Sequence, residues 1–129
     1  MSDEDRNGTL VLVADDDPDL LEMVVLLLRR SHYQVVTARD GEEALRVAFE
    51  RQPSLAVLDV KMPGLDGVDV LRRIRDNEAT ASMPAILVSA GVEQEKIEAG
   101  LAAGANEYVK KPFSPRELLA VVENALAER

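Results

Sequence analysis

A handful of polar residues stand where apolar runs end. Asp15 and Asp16 follow residues 10–14, Asp59 closes residues 55–58, Ser89 closes residues 85–88, and Lys111 lies just past Tyr108 and Val109. If these runs are strands of one parallel sheet, their ends share an edge, and three carboxylates, a hydroxyl and an ammonium meet in one cleft. Clustered carboxylates repel one another unless something offsets them. A magnesium ion would: it is hard, takes octahedral oxygen ligands, and borrows one or two carboxylates plus phosphate oxygens while keeping waters. Asp59 would be both ligand and nucleophile, Lys111 would neutralise one phosphoryl oxygen, and Ser89 would donate a hydrogen bond to another. The backbone carbonyl of Lys61 would complete the metal shell. Phosphoryl transfer needs mostly positioning and charge neutralisation, so this short set is sufficient. The chemistry it suits is phosphorylation of an aspartate.

Taken singly, each residue has a plainer reading. An Asp at a strand end is commonly a turn former or helix cap, as Asp17 is expected to be. A lone lysine is usually solvated, and a lone serine says nothing. The argument rests on their common location.

That location requires a particular architecture. Strand-like and helix-like segments alternate five times, the pattern of a βα-wound parallel sheet. The strand segments are continuously apolar, as they must be when helices cover both faces. The shorter, less apolar run of residues 33–36 suits an edge strand. Asp17 and Pro18 start the first helix, with Leu20, Val24, Leu27 and Leu28 on its buried face. Asp40-Gly41 leads into a second helix with Ala44, Leu45, Ala48 and Phe49 inward, ended by Pro53. The turn-rich segment 62–67 feeds a third helix, with Leu71 and Ile74 inward and Arg72, Arg73 and Arg75 outward. Pro84 opens the fourth strand. Residues 93–103 form a weak helix holding only Ile97, Leu101 and alanines on its apolar side, interrupted by Gly100 and stopped by Gly104, so it should be mobile. Ser114-Pro115-Arg116-Glu117 is a capping box for the last helix, which buries Leu118, Leu119, Val122 and Leu126. The inferred fold is a three-layer αβα sandwich with a five-stranded parallel sheet of order 2-1-3-4-5 and its cleft at the carboxyl edge.

Composition agrees. The chain has 129 residues, 47% hydrophobic, which suits one domain with a real core. Aromatic content is only 3%, so that core is aliphatic. There is no cysteine, which removes disulfides and thiolate metal sites and fits a reducing cytoplasm. The net charge of -9 argues against direct nucleic acid binding by this domain. The greasiest stretch, residues 20–28, contains Glu22 and is far shorter than the roughly 20 residues that span a bilayer, so no membrane insertion is expected. Residues 1–8 read as a polar, flexible tail lacking the features of a signal peptide, and residues 9–127 as the folded domain.

The segments 12–17, 58–67, 89–90 and 108–113 together resemble the receiver domain of bacterial two-component response regulators, over residues 9–126. The segment 58–67, Leu-Asp-Val-Lys-Met-Pro-Gly-Leu-Asp-Gly, is the most specific. The resemblance implies a flavodoxin-like fold, like that of the chemotaxis regulators, and a cytoplasmic signalling role. It implies that Asp59 accepts a phosphoryl group from a histidine kinase or phosphotransfer protein, that Asp15 and Asp16 hold Mg²⁺ (with Mn²⁺ as a substitute), and that Lys111 is the family's lysine, with Lys110 facing solvent. The Lys111–Pro112 bond is expected to be cis. Ser89 stands at the family's Ser/Thr position and Tyr108 at its aromatic switch position.

A switching mechanism follows. Phosphoryl oxygens on Asp59 draw Ser89 toward them, Tyr108 turns into the space behind it, and the weak helix with the last strand and helix alters its surface toward a downstream protein. Lys61 and Gly91, each two residues past a site residue, would tune the phosphoryl lifetime. His32 lies away from the cleft in a surface or capping role. The chain is expected not to be an enzyme beyond slow self-dephosphorylation, and to be a monomer or a phosphorylation-dependent dimer. A haloacid-dehalogenase-type phosphatase would want an Asp where Lys61 stands. A flavin-binding module would want a Ser/Thr/Gly-rich loop where Asp15-Asp16-Asp17-Pro18 stands. The remaining alternatives are a receiver fragment of a longer regulator whose output domain lies elsewhere, and a pseudo-receiver that is never phosphorylated.

Overall fold

A computed structural model describes residues 8–90 and 94–127. Five strands, β1 (Leu10–Ala14), β2 (Gln34–Ala38), β3 (Leu55–Asp59), β4 (Ala85–Ser89) and β5 (Glu107–Lys110), alternate with five helices. The helices are α1 (Pro18–Arg30), α2 (Gly41–Arg51), α3 (Gly67–Asp76), α4 (Gln94–Ala102) and α5 (Pro115–Ala127). All strand pairs are parallel, in the order β2-β1-β3-β4-β5. The expected αβα sandwich and strand order are those observed. The sheet grows outward in both directions from the β1/β3 pair, so the crevice of this topology opens at the carboxyl ends of β1 and β3.

The period-two alternation of strands divides the core in two. Val11, Val13, Leu55, Val57, Ile86 and Val88 face one side, where α1 brings Leu21, Val24 and Leu28 and α5 brings Leu118 and Val122. Leu12, Ala14, Ala56, Leu58, Ala85 and Leu87 face the other, against Ala44, Val47 and Ala48 of α2 and Leu71 and Ile74 of α3. Both central strands β3 and β4 are buried along their whole length, whereas β2 and β5 are the partly exposed edges.

Helix starts follow the expected chemistry. The Asp17 carboxylate accepts from the N–H groups of Asp19 (3.0 Å) and Leu20 (3.4 Å), with Pro18 in the first turn. Asp40 caps α2 through Glu43 N–H at 2.8 Å. Ser114 and Glu117 make the reciprocal box of α5, at 3.1 and 3.4 Å. His32 is exposed and takes a left-handed conformation after α1 (φ 72°), its N–H donating to Arg29 C=O, away from the cleft.

Several inward faces differ from expectation. In α1 Leu21 joins Val24 and Leu28 in the core, with Leu20 and Leu27 at its margin. In α2 Val47 is buried and Phe49 sits at the rim, 36% exposed. Leu101 of α4 is 44% exposed; Ile97 and Gly100 make the buried face instead. Gly100 is therefore a packing residue: a Cβ there would lie 2.0 Å from Leu87 Cδ1, so the helix can approach β4 only without one. β2 begins at Gln34, after a buried Tyr33.

The largest correction concerns Arg75, which turns back under the amino edge of the sheet. Its guanidinium donates to the carbonyls of Ala81 (3.1 Å), Met83 (2.6 Å) and Gly104 (2.8 and 3.3 Å) and to Asn106 Oδ1 (3.3 Å). Asn106 Oδ1 also accepts the N–H of Ala85, the first residue of β4. One arginine thus ties the end of α3, the approach to β4 and the α4–β5 turn, a role open to its planar multi-donor fork.

Candidate functional site

The strand ends deliver the expected residues to one place. Asp15 follows β1, Asp59 ends β3, Ser89 ends β4 and Lys111 follows β5. Registers hold them level: Ala14 pairs with Leu58, Asp59 with Val88, and Ser89 with Lys110. Asp15 and Asp59 are each 5% exposed and Ser89 is fully buried, while Asp16 is exposed at the mouth. One carboxylate oxygen from each of Asp15, Asp16 and Asp59 lies within 4.8 Å of the other two. Lys111 Nζ sits between two of them, 3.2 Å from Asp15 Oδ2 and 3.3 Å from Asp59 Oδ2. The Lys111–Pro112 bond is cis, and Lys110 is exposed.

Backbone bonds brace this group. Asp15 Oδ1 accepts the N–H of Asp17 at 2.9 Å, orienting the acid while its other oxygen meets Lys111. Lys111 N–H donates to Ser89 C=O at 2.6 Å, so hydroxyl and ammonium are carried by one continuous ladder. Behind Asp59, Val60 N–H donates to Val88 C=O and Gly67 N–H donates to Val60 C=O. A Cβ at Gly67 would lie 2.4 Å from the Asp59 carbonyl oxygen, so this glycine lets the start of α3 press against the strand end that carries the acid.

The electrostatics are poised. Burial and the facing Asp15 push the Asp59 carboxyl from its ordinary 3.8 up to about 7, against the pull of Lys111. Burial would lower the pKa of Lys111, but Asp59 and Asp15 outweigh it and hold the ammonium in its charged form. Three carboxylates against one ammonium leave the pocket with two excess negative charges when all are ionised, an excess that a hard divalent cation matches. The donor set is all oxygen and fits Mg²⁺ or Mn²⁺.

Other expected residues are placed less centrally. Lys61 is exposed and lines a groove with Asp16, Val60, Met62, Asp66 and Lys96 beside the acids. Tyr108 is 47% exposed on the edge strand β5, its side chain directed to the surface. Gly91 lies outside the described residues. Sequence reasoning overlooked Lys96, whose Nζ lies 2.8 Å from Asp66 Oδ2 across the α3–α4 junction. No local pattern announces that pair, because its members are thirty residues apart and meet only once α4 is docked.

An αβα domain of order 2-1-3-4-5, with an acid triad and a lysine at the carboxyl edge, is the architecture of phosphoacceptor signalling modules. The response regulator receiver domain model matches residues 11–123, and the chain belongs to that family. It is 39% identical over 116 residues to the DNA-binding response regulator MtrA of Mycolicibacterium smegmatis, covering 90% of this chain and 50% of MtrA. The chain thus spans about half the length of the curated relatives it matches. Among solved structures, the CheY-like response regulator receiver domain protein of Methanospirillum hungatei superimposes with TM-score 0.87 at 29% identity, covering 93% of this chain and 94% of that one. The receiver domain of the sensor histidine kinase PA1611 of Pseudomonas aeruginosa, solved with a magnesium ion coordinated in its active site cleft, superimposes with TM-score 0.85 at 31% identity (93% and 98% covered). None of the described helices is long and apolar enough to cross a membrane.

Proposed function

We propose that this chain is a phosphoryl-accepting switch in which Asp59 takes a phosphoryl group from the phosphohistidine of a histidine kinase or phosphotransfer protein. The observation that carries the reading is the position of Lys111 Nζ, within 3.3 Å of both Asp15 and Asp59, in a pocket where three carboxylates converge. A carboxylate oxygen of Asp59 attacks phosphorus as the P–N bond breaks, and the departing imidazole keeps that electron pair and takes up a proton. Lys111 exchanges its carboxylate contacts for a phosphoryl oxygen, and Ser89 donates to another. Asp15, Asp16, Asp59 and the Lys61 carbonyl would hold Mg²⁺, which supplies charge neutralisation at the transferring group. The magnesium ion in the PA1611 receiver cleft supports this assignment.

The output follows from where the site's connections lead. Drawing Ser89 toward the phosphoryl group pulls on the β4–β5 ladder, and Tyr108 can turn inward as α4, β5 and α5 present a changed face to a partner protein. Lys61, at the mouth, tunes water access and hence lifetime; an unchanged dephosphorylation rate in Lys61→Ala, with and without partners, would remove that role. The domain serves as a cytoplasmic switch and turns over nothing beyond its own slow dephosphorylation.

The test is mass spectrometry. Incubated with Mg²⁺ and phosphoramidate, the wild type should gain one phosphoryl group and Asp59→Asn none. Folded protein that gains nothing would turn the reading toward an interaction module that is never phosphorylated.

A further inference from the structure

The two ends of α4 are held in different ways. At the carboxyl end, Gly100 presses on Leu87 with no room for a Cβ, Ala105 N–H donates to Gly100 C=O, and Arg75 grips the Gly104 carbonyl. At the amino end the buried contact is Ile97, and the polar tie is an ion pair at the surface: Lys96 Nζ to Asp66 Oδ2, 2.8 Å. The partner is not an ordinary surface acid. Asp66 is the N-cap of α3, its other oxygen accepting Asp69 N–H at 2.9 Å. It immediately precedes Gly67, the residue pressed against the Asp59 carbonyl. It also ends the loop that carries the Lys61 carbonyl. One carboxylate therefore closes the loop behind the phosphoacceptor with one oxygen and holds α4 with the other.

We propose that the Lys96–Asp66 ion pair is a latch that holds α4 in its resting orientation and releases it when the loop after Asp59 moves. This rests on the reading of Asp59 as phosphoacceptor and of α4 as part of the output face. The physical argument is one of leverage. With its carboxyl end clamped, α4 can move chiefly by swinging its amino end, and among the described residues there Lys96 is a charged side chain that reaches another element. A cation held by the Lys61 carbonyl would shift the same short loop that positions Asp66, so a change in the pocket would reach α4 without passing through the β4–β5 ladder. Burial alone would raise the Asp66 pKa, but hydrogen bonds from Lys96 and from the N–H groups of Asp69 and Val68 outweigh it and keep the carboxylate charged. The latch therefore does not open by protonation near neutral pH, and displacement of the loop is the remaining trigger.

The latch is tested on the unmodified full chain by amide hydrogen exchange and ¹⁵N chemical shifts. Lys96→Ala should speed exchange of the α4 amides near its amino end by about two- to fivefold, the range an exposed ion pair supports. It should also move α4 and β5 shifts part-way toward those of the phosphoramidate-treated wild type. Lys96→Arg should restore the resting pattern. Asp66→Asn keeps the capping oxygen and removes the charge, so α3 amides should stay protected while α4 loosens. The double variant should add nothing to either single one. Unchanged α4 exchange in both single variants, or additive effects in the double, would overturn the latch. So would faster exchange with no shift toward the phosphorylated pattern. Failure of the underlying reading is separate, because it shows as no mass gain in the wild type.

Discussion

The two edges of this sheet treat charge in opposite ways. At the amino edge a single cation, Arg75, is surrounded by acceptors: three carbonyls and the Asn106 amide oxygen. At the carboxyl edge three acids converge and a single lysine meets two of them. The first arrangement is satisfied by groups that the fold itself leaves over, chiefly carbonyls at the turns. The second is not, and burial pushes Asp59 up to about 7 as a result. A domain can hold a strained cluster at one edge if the opposite edge is closed. Here the closing residue also anchors α4, so the stable edge fixes one end of the element expected to move.

The sharpest way to break this comparison is to remove the closed edge. Arg75→Ala should cost about 2 to 3 kcal/mol by urea unfolding, since carbonyls lose a charged donor. Arg75→Lys should recover little, because an ammonium cannot span four acceptors. A loss under about 0.5 kcal/mol, typical of neutral surface changes, would make the two edges equivalent.

Comparable in size should be the effect of filling the open edge. Mg²⁺ at about a hundredfold over its Kd should stabilise the folded protein by about 2.7 kcal/mol through linkage. Asp15→Asn and Asp59→Asn should diminish that gain, whereas Arg75→Ala should retain it. A magnesium response that survives both acid substitutions would move the cation elsewhere.

Next comes the charge on Asp59 itself. The folded protein retains a proton that the unfolded chain releases near pH 3.8, so between that value and about 7 it binds more protons than the unfolded state. Without a cation, stability should therefore fall as pH rises through this window. Asp59→Asn should flatten the fall and be more stable than wild type at pH 8 by about 1 to 2 kcal/mol. Urea midpoints of the two proteins from pH 5 to 8 decide it, and parallel curves would remove the crowding argument.

The smallest effect belongs to α4. Gly100→Ala should cost about 1 kcal/mol, because Leu87 must shift to admit a methyl group, despite the better helix propensity of alanine. A gain in stability would mean that Gly100 is merely a weak helix residue.

The strands and the residues Asp15, Asp59, Ser89 and Lys111 at their ends were legible because each follows from a local pattern, an apolar run ended by a polar residue, and the strand order followed from the regular βα alternation. Helix caps at Asp17 and Ser114 were legible because each is followed by a proline at the first helical position, whereas Asp40 was read as a turn and is a cap. Faces of helices were read less well: Leu20 for Leu21 and Leu101 for Gly100 are errors of one residue and Phe49 for Val47 of two, decided by how each helix lies on the sheet. Arg75 was read outward because it flanks two truly exposed arginines, and nothing in its neighbourhood reveals carbonyls supplied by residues 81, 83 and 104. The Lys96–Asp66 pair is likewise a product of tertiary placement.

One further consequence attaches to the β4–β5 register, in which Ser89 faces Lys110 and the next N–H returns to Ser89 C=O. Side chains on a strand alternate faces, so a single inserted or deleted residue between Tyr108 and Lys111 would turn the ammonium away from the acids. Turns at the opposite edge are under no such constraint from the pocket. Over evolutionary time, insertions and deletions in descendants of this chain should accumulate on one side of the molecule, away from the acids.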